Sequence, residues 1–210
     1  MPLEPPVVIL ADGDFPTHHR PLEALRRAGT LICCDGAANH LLGRFPEPDV
    51  VVGDLDSISA DARFAFRDRL VELPSQQSND LEKALKWAAK AGAREVTIIG
   101  AIGQRDDHSF GNLVMLWNDF GLEVTVLTDA GQFTPVRLAH TFDSFPGQNV
   151  SLFPESTAVR ITTSGLVYQL KDAALIPIHK GTSNRSRGTV FTVEVSGGAV
   201  LVFQSYPPEG

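Results

Sequence analysis

Four acidic clusters recur in the first 110 residues, each where an apolar run or a helical pattern meets a polar loop. They read Cys34-Asp35-Gly36-Ala37-Ala38-Asn39, Gly53-Asp54-Leu55-Asp56-Ser57, Ser78-Asn79-Asp80 and Gly103-Gln104-Arg105-Asp106-Asp107-His108. Carboxylates gathered at strand ends repel one another unless a cation or a ligand holds them. The common solution is Mg²⁺ bound through one or two carboxylates together with substrate phosphates. Phosphate-transfer chemistry is therefore the first expectation.

Each cluster suits that chemistry for its own reason. Asp54 and Asp56 flank Leu55 directly after an apolar run, and on extended backbone residues i and i+2 point the same way, so both carboxylates face one ion. An isolated Asp-x-Asp is as often a solvated turn. Asp80 opens a helical pattern, where a carboxylate is favourable in any case. The polar stretch Gln76-Gln77-Ser78-Asn79 before it adds donors suited to a phosphate or a metal-linked oxygen. In the segment from Gly100 to Asn112 glycines permit close backbone approach, and Arg105 can make charge-assisted contacts with phosphate oxygens. Asp107 is placed to orient Arg105 or to meet metal-bound water. His18-His19 in a Pro-rich loop reads as solvated, and Trp87 and Trp117 read as packing residues.

The elements that must position these residues follow from periodicity. Apolar runs at Val7–Leu10, Thr30–Cys34, Val50–Val52, Glu95–Gly100 and Glu123–Leu127 predict strands. Helical patterns cover Leu22–Ala28, Ala37–Leu42, Ala60–Leu70, Asp80–Ala91 and about Ser109–Phe120. Asp80–Ala91 shows the plainest face, with Leu81, Ala84, Leu85, Ala88 and Ala89 at i, i+3, i+4, i+7 and i+8. Short apolar strands alternating with helices predict a parallel sheet covered on both faces. Past about residue 140 no helix pattern appears. Val150–Phe153, Val159–Thr162, Val167–Leu170, Thr189–Val195 and Ala199–Phe203 read as β-runs, with Ser196-Gly197-Gly198 as a hairpin turn. The predicted fold is thus an α/β domain over 1–139 followed by an antiparallel β-sandwich over 140–210.

Composition excludes other classes. The net charge of −7 falls on residues 1–139, while residues 140–210 balance five basic against five acidic side chains. Neither part carries the basic stripe of a nucleic-acid binder. No apolar run reaches the roughly 20 residues that span a bilayer, and the first residues do not read as a secretory signal. Cys33 and Cys34 point to opposite faces of one strand, which disfavours a disulfide between them and fits a reducing cytoplasm.

Taken together, the motifs resemble the thiamine pyrophosphokinase family. The resemblance runs in order through Cys-Asp-Gly-Ala-Ala-Asn (34–39), Gly-Asp-Leu-Asp-Ser (53–57), Asn-Asp-Leu-Glu-Lys-Ala-Leu (79–85) and Gly-x-x-Gly-x-Arg-x-Asp-His-x-x-Gly-Asn (100–112), and continues into Gly165-Leu166-Val167-Tyr168-x-Leu170 and Gly181-Thr182-Ser183-Asn184. It implies a nucleotide-binding α/β domain, a β-sandwich that binds thiamine and dimerises, and a homodimer. It implies transfer of a diphosphate from ATP to the hydroxyethyl group of thiamine, releasing AMP, with Mg²⁺. By motif position Asp54, Asp56 and Asp80 correspond to the metal and phosphate group. Arg105 joins them in catalysis, and Asp35, Asn39, Arg105, Asp107 and Asn112 to nucleotide or phosphate contacts. Gln76 and Ser183 correspond to thiamine contacts, Ser183 reaching a site built with the other subunit. Phe191, Phe203 and Tyr206 are the aromatic candidates for stacking on thiamine. The chain departs from the pattern at Gln104, where a second Gly is frequent, and at Asp106, where an apolar residue is frequent. A sister diphosphokinase acting on another heterocyclic alcohol, such as a hydroxymethylpterin, is the nearest alternative. An aspartyl-phosphate phosphatase fits less well, because Ile58 stands where that motif has Thr or Val.

Overall fold

The structure, a computed structural model, describes residues 2–43, 46–75 and 77–208. Its contacts divide the chain into two compact units. One comprises Met1–Met115 with Asp119–Asp129, and the other Leu116–Asn118 with Ala130–Gly210. The sequence pattern changes near residue 140, whereas the units divide at Asp129 and Ala130. Ahead of the change of pattern, Gly131–Val136 form a strand that contains Pro135, a residue that weakens any strand reading.

Unit 1 alternates strands and helices. In chain order these are β1 (Val7–Leu10), α1 (His19–Arg26), β2 (Thr30–Cys34), β3 (Val50–Gly53), α2 (Ala60–Ala65), β4 (Leu70–Glu72), α3 (Asp80–Lys90), β5 (Glu95–Ile99), α4 (Asp106–Met115) and β6 (Glu123–Leu127). All neighbouring strands pair in parallel, in the order β4-β3-β2-β1-β5-β6. β1, β2 and β3 are buried at every residue, as a sheet covered on both faces requires. Val8, Leu10, Leu31, Cys33, Val51 and Ile99 join Leu25 of α1 and Ala62 of α2 in one core. α3 packs against β1, β2 and β3, and Leu81, Ala84, Leu85 and Ala88 are its buried apolar stripe. Asn79 caps it by accepting the Glu82 N–H at 2.9 Å, an interaction worth ~1 kcal/mol.

Three local expectations change. The helical pattern Ala37–Leu42 is instead a 3₁₀ helix, Asp35–Leu41, which begins two residues earlier and leaves Leu42 outside. The helix begun by Ser59 stops at Ala65, and Leu70 belongs instead to the short strand β4, which two apolar residues alone do not announce. α4 starts three residues before Ser109 and ends at Met115.

Unit 2 is built of β7 (Gly131–Val136), β8 (Ala139–Asp143), β9 (Asn149–Pro154), β10 (Arg160–Ser164), β11 (Asn184–Arg185), β12 (Val190–Ser196) and β13 (Val200–Ser205). Among the described residues no α-helix lies between Phe142 and Phe203; the helical turn there is the 3₁₀ segment Ile178–Gly181. β7-β13-β9-β11 form one antiparallel layer and β10-β12-β8 another. Val150, Leu152, Val200 and Val202 of the first layer share a core with Phe142, Ile161, Phe191 and Val193 of the second. This is a sandwich. The turn Ser196-Gly197-Gly198 therefore does not close a hairpin, as its sequence suggests. β12 pairs with β8 and β10 while β13 pairs with β7 and β9, so the turn carries the chain from one layer to the other. Val167–Leu170 is not a strand either. It is held by an isolated bridge from Leu166 to Ser186 and by Asn184, whose side chain accepts the Tyr168 N–H at 3.0 Å and donates to the Tyr168 carbonyl at 2.7 Å.

Cys33 and Cys34 are both free and fully buried in β2. Burial pushes both thiols well above their ordinary range. Among the described residues no helix is long and apolar enough to cross a membrane.

Candidate active site

Parallel strands end on the same side, so the loops after β1, β2, β3 and β5 meet there, together with the start of α3. They line a cleft of about 600 Å³ that belongs wholly to unit 1. Of the residues expected from the sequence, Asp54, Asp56, Asp80, Arg105 and Asn112 line it.

The carboxylates converge, though not as strand geometry suggests. Leu55 has φ 63°, a left-handed conformation, so Asp54 and Asp56 sit on a kink and not on extended backbone. Such a conformation costs a leucine about 1–2 kcal/mol. Burial of the Leu55 side chain in the core offsets it, as does the Arg63 guanidinium, which donates to the Leu55 carbonyl at 2.7 Å. The kink turns Asp54 and Asp56 toward Asp35. Oxygens of all three carboxylates lie within 4.8 Å of one another. Gly53 makes the approach possible: a Cβ there would lie 2.7 Å from the Asp35 Cβ and 3.2 Å from Asp80 Oδ1.

Asp35 is 1 % exposed. Its Oδ2 accepts the Ser57 N–H at 3.1 Å, while its buried Oδ1 has no hydrogen-bond partner among the described residues. Burial raises the Asp35 carboxyl above the usual range; the Ser57 N–H works the other way, and Asp80, Asp56 and Asp54 add to the rise. An orphaned buried oxygen, set among carboxylates that repel it, fits a hard divalent cation with oxygen ligands. The donor set that fits is Asp35, Asp54 and Asp56.

Asp80 is held differently. It accepts from Lys83 Nζ at 2.8 Å, one helical turn along α3, and the same ammonium lies 3.4 Å from Asp54 Oδ2. Lys83 is 5 % exposed. Burial alone would lower its pKa, but the hydrogen bond and charge of Asp80 and the charge of Asp54 outweigh that, and the net shift is upward. Lys83 is thus a fixed cation inside the acidic cluster. Sequence reasoning passed over it as one more helical lysine; the signal available was its i, i+3 spacing from Asp80. Asp12 was also passed over, although Ala11-Asp12-Gly13 ends β1 as the other clusters end their strands. It lines the cleft, and its carboxyl is raised by burial, lowered by His40 and raised by Asp80.

Arg105 supplies the second cation. It makes a two-point pair with Asp107, Nε to Oδ1 at 3.1 Å and Nη2 to Oδ2 at 2.7 Å. That hydrogen bond holds the exposed Asp107 carboxyl down at about 2. Asn112 ties the site together: its Nδ2 donates to the Ala101 carbonyl at 2.8 Å and its Oδ1 accepts from the α3 cap Asn79 at 2.9 Å.

Asn39 does not line the cleft. Its amide braces the turn after Asp56, donating to the Ser57 carbonyl at 3.1 Å and accepting the Ser59 N–H at 2.8 Å. Gln76 lies outside the described residues. Ser183 belongs to unit 2, where it is exposed and has φ 64°, an unusual conformation for serine. Phe191 is spent in the unit 2 core, stacked on Phe142 at 4.8 Å, which removes it as a thiamine platform.

Comparison with known proteins agrees with this architecture. Residues 22–126 match the family model for the thiamin pyrophosphokinase catalytic domain, and residues 131–203 that for the thiamin pyrophosphokinase substrate-binding domain. The chain is similar to thiamine pyrophosphokinase 2 of Arabidopsis thaliana, 28% identical over 199 residues, covering 78% of this chain and 73% of that protein. It is 26% identical to thiamine pyrophosphokinase 1 of Oryza sativa subsp. japonica over 180 residues, 71% of this chain and 68% of the other. Among solved structures, the Bacillus subtilis thiamine pyrophosphokinase superposes with a TM-score of 0.80 at 19% identity, over 96% of this chain and 100% of that one. The thiamin pyrophosphokinase of Geobacillus thermodenitrificans does so with 0.77 at 25% identity, over 97% and 98%.

Proposed function

The chain belongs to the thiamin pyrophosphokinase family, enzymes that form thiamine diphosphate, and from that premise we propose that its unit 1 cleft binds ATP and Mg²⁺ and transfers the terminal diphosphate to thiamine. The observation that carries this reading is the meeting of Asp35, Asp54 and Asp56 within 4.8 Å at the strand ends, beside a cleft lined by Asp54, Asp56, Lys83 and Arg105.

In the proposed reaction the thiamine hydroxyl oxygen bonds to the β-phosphorus of ATP. The bond from that phosphorus to the α–β bridging oxygen breaks, AMP leaves with the electron pair, and the hydroxyl proton passes to solvent. When bound, Mg²⁺ would neutralise charge on the phosphate oxygens, held by Asp35, Asp54 and Asp56. Charge gathers on non-bridging and leaving oxygens, so preorganised cations supply most of the rate gain. Arg105 supplies such charge by exchanging its Asp107 partner for phosphate. Lys83 holds Asp54 and Asp80 in fixed geometry while their charges face the substrate. Ser183 and Gln76 are proposed thiamine contacts, Asn112 a nucleotide-side brace, and the working assembly a cytoplasmic homodimer.

AMP release tests the proposal. It is measured from ATP and Mg²⁺ with thiamine, with a hydroxymethylpterin, or with neither. AMP formed in step with thiamine diphosphate supports it. Preference for the pterin alcohol, or inorganic phosphate as the product without any acceptor, overturns it.

A further inference from the structure

The strand order of unit 1 reverses between β1 and β5, and in open α/β sheets such a reversal opens a crevice at the carboxyl ends of the strands. In this protein the crevice is stitched across. The Gly13 N–H donates to the Gly100 carbonyl at 2.8 Å and the Asp14 N–H to the Ile102 carbonyl at 2.8 Å. Two further stitches come from one residue. The Gln104 N–H donates to Asp14 Oδ1 at 3.2 Å, and Gln104 Nε2 donates to the Gly13 carbonyl at 2.9 Å.

Gln104 holds this position at a cost. Its φ is 57°, in the left-handed region that favours glycine. Gly103 before it has φ 96°, and a Cβ there would overlap the Asp14 carboxylate. Strained backbone of this kind persists only where its surroundings over-determine it. On the α4 side Ser109 completes the fixation: its Oγ accepts the Gly103 N–H at 2.9 Å and donates to the Arg105 carbonyl at 2.8 Å. The residue that follows Gln104 is Arg105, and the turn it grips carries Asp12.

We propose that Gln104 is a positioning residue for the phosphate donor. Its side-chain tether to the Gly13 carbonyl fixes the loop bearing Arg105 against the turn bearing Asp12, and so sets where the cationic wall of the cleft meets the triphosphate. The side-chain type follows from the geometry. Glycine would relax the backbone but lacks the tether, asparagine is one methylene shorter, and glutamate has no donor for a carbonyl. The inference rests on the ATP-donor reading above.

Gln104→Met keeps the length and removes the donor, and Gln104→Gly removes both tether and strain. Three quantities are compared with wild type: calorimetric binding of α,β-methylene ATP with Mg²⁺, the KM values for MgATP and thiamine, and hydrogen exchange at the Asp14 and Gln104 amides without nucleotide. The expected result is that both variants bind the analogue about three- to ten-fold more weakly, the range for one lost hydrogen bond. KM for MgATP rises in parallel, KM for thiamine stays within about two-fold, and the Asp14 amide exchanges faster. The thermal midpoint of Gln104→Gly stays at or above that of wild type, which separates lost positioning from lost folding. Wild-type analogue affinity in both variants overturns the role, whether or not exchange quickens. A wild-type protein that does not bind the analogue overturns the donor reading and this role with it, while exchange still reports whether the tether forms.

Discussion

Lys83 shows how a single side chain can hold a charged site together. Its ammonium sits 2.8 Å from Asp80 and 3.4 Å from Asp54, almost out of water. Replacing one partner of a shielded ion pair leaves the other charges uncompensated. Lys83→Met should therefore lose about 1–3 kcal/mol of stability in urea titrations at neutral pH without metal. Added Mg²⁺ should recover more stability in the variant than it gives wild type, since it then answers a larger excess of negative charge. A smaller Mg²⁺ effect in the variant would count against Lys83 as an internal counter-ion. Asp35 makes the opposite case. It is buried among like charges, and one of its oxygens has no partner among the described residues. Asp35→Asn keeps an acceptor for the Ser57 N–H and removes the repulsion, so the metal-free variant should melt at a higher temperature than wild type. Its Mg²⁺-dependent turnover should fall about a hundred-fold or more, in line with the loss of one preorganised charge. Asp54→Asn should lose turnover similarly; near-normal activity in either variant would remove the carboxylate group from the mechanism.

At the scale of elements, the order of strands and helices in unit 1 was legible because burial on both faces leaves apolar runs and a 3.6-residue stripe such as that of α3. What escaped was set by contacts distant in sequence. Leu55 reads as part of an extended Asp-x-Asp, yet the core and Arg63 turn it left-handed. The pairing of β12 with β8 is invisible in a Ser-Gly-Gly turn that has every local mark of a hairpin. The start of α1 depends on another such contact. Asp129, far along the chain, accepts from the Thr17 hydroxyl and from the N–H groups of Thr17 and His18. Partial burial raises this carboxyl, but those hydrogen bonds together outweigh it and the net shift is downward. A folded-state pKa below the unfolded value gives stability that is present above about pH 4 and drains as pH falls through the folded value. Asp129→Asn should flatten that acid limb, seen as a smaller loss of thermal midpoint between pH 6 and pH 3. An unchanged limb would show that Asp129 does not anchor α1.

For the molecule as a whole, the acidic unit 1 holds the cleft, and the nearly neutral unit 2 is a sandwich. Ser183 is the unit 2 residue that motif order singled out, and its left-handed backbone marks it as held for a reason. Ser183→Ala should raise KM for thiamine about three- to ten-fold and leave KM for ATP unchanged, because it removes a contact to the acceptor alone. Equal changes in both constants would argue against that placement. Cleft-lining residues were legible where charge density or motif order marked them, as at Asp54, Asp56, Asp80 and Arg105. Asp12 and Lys83 were not, since one Asp after a strand and one Lys on a helix each look ordinary until the fold brings them to the same cleft.

The two thiols of β2 give the protein a clock. Cys33 and Cys34 lie in the strand between β1 and β3, sealed from solvent and held protonated by burial. A thiol reagent can reach them only when that strand is uncovered. The folded protein should give no colour with Ellman's reagent, and two equivalents should appear in denaturant. Between those limits, the rate of labelling measures how often the sheet beneath the cleft opens. Nucleotide or metal bound above it should slow the clock by the free energy of binding. Ligands can then be screened with no assay of turnover and no dye attached, and reporter cysteines can be placed elsewhere without first removing the native pair.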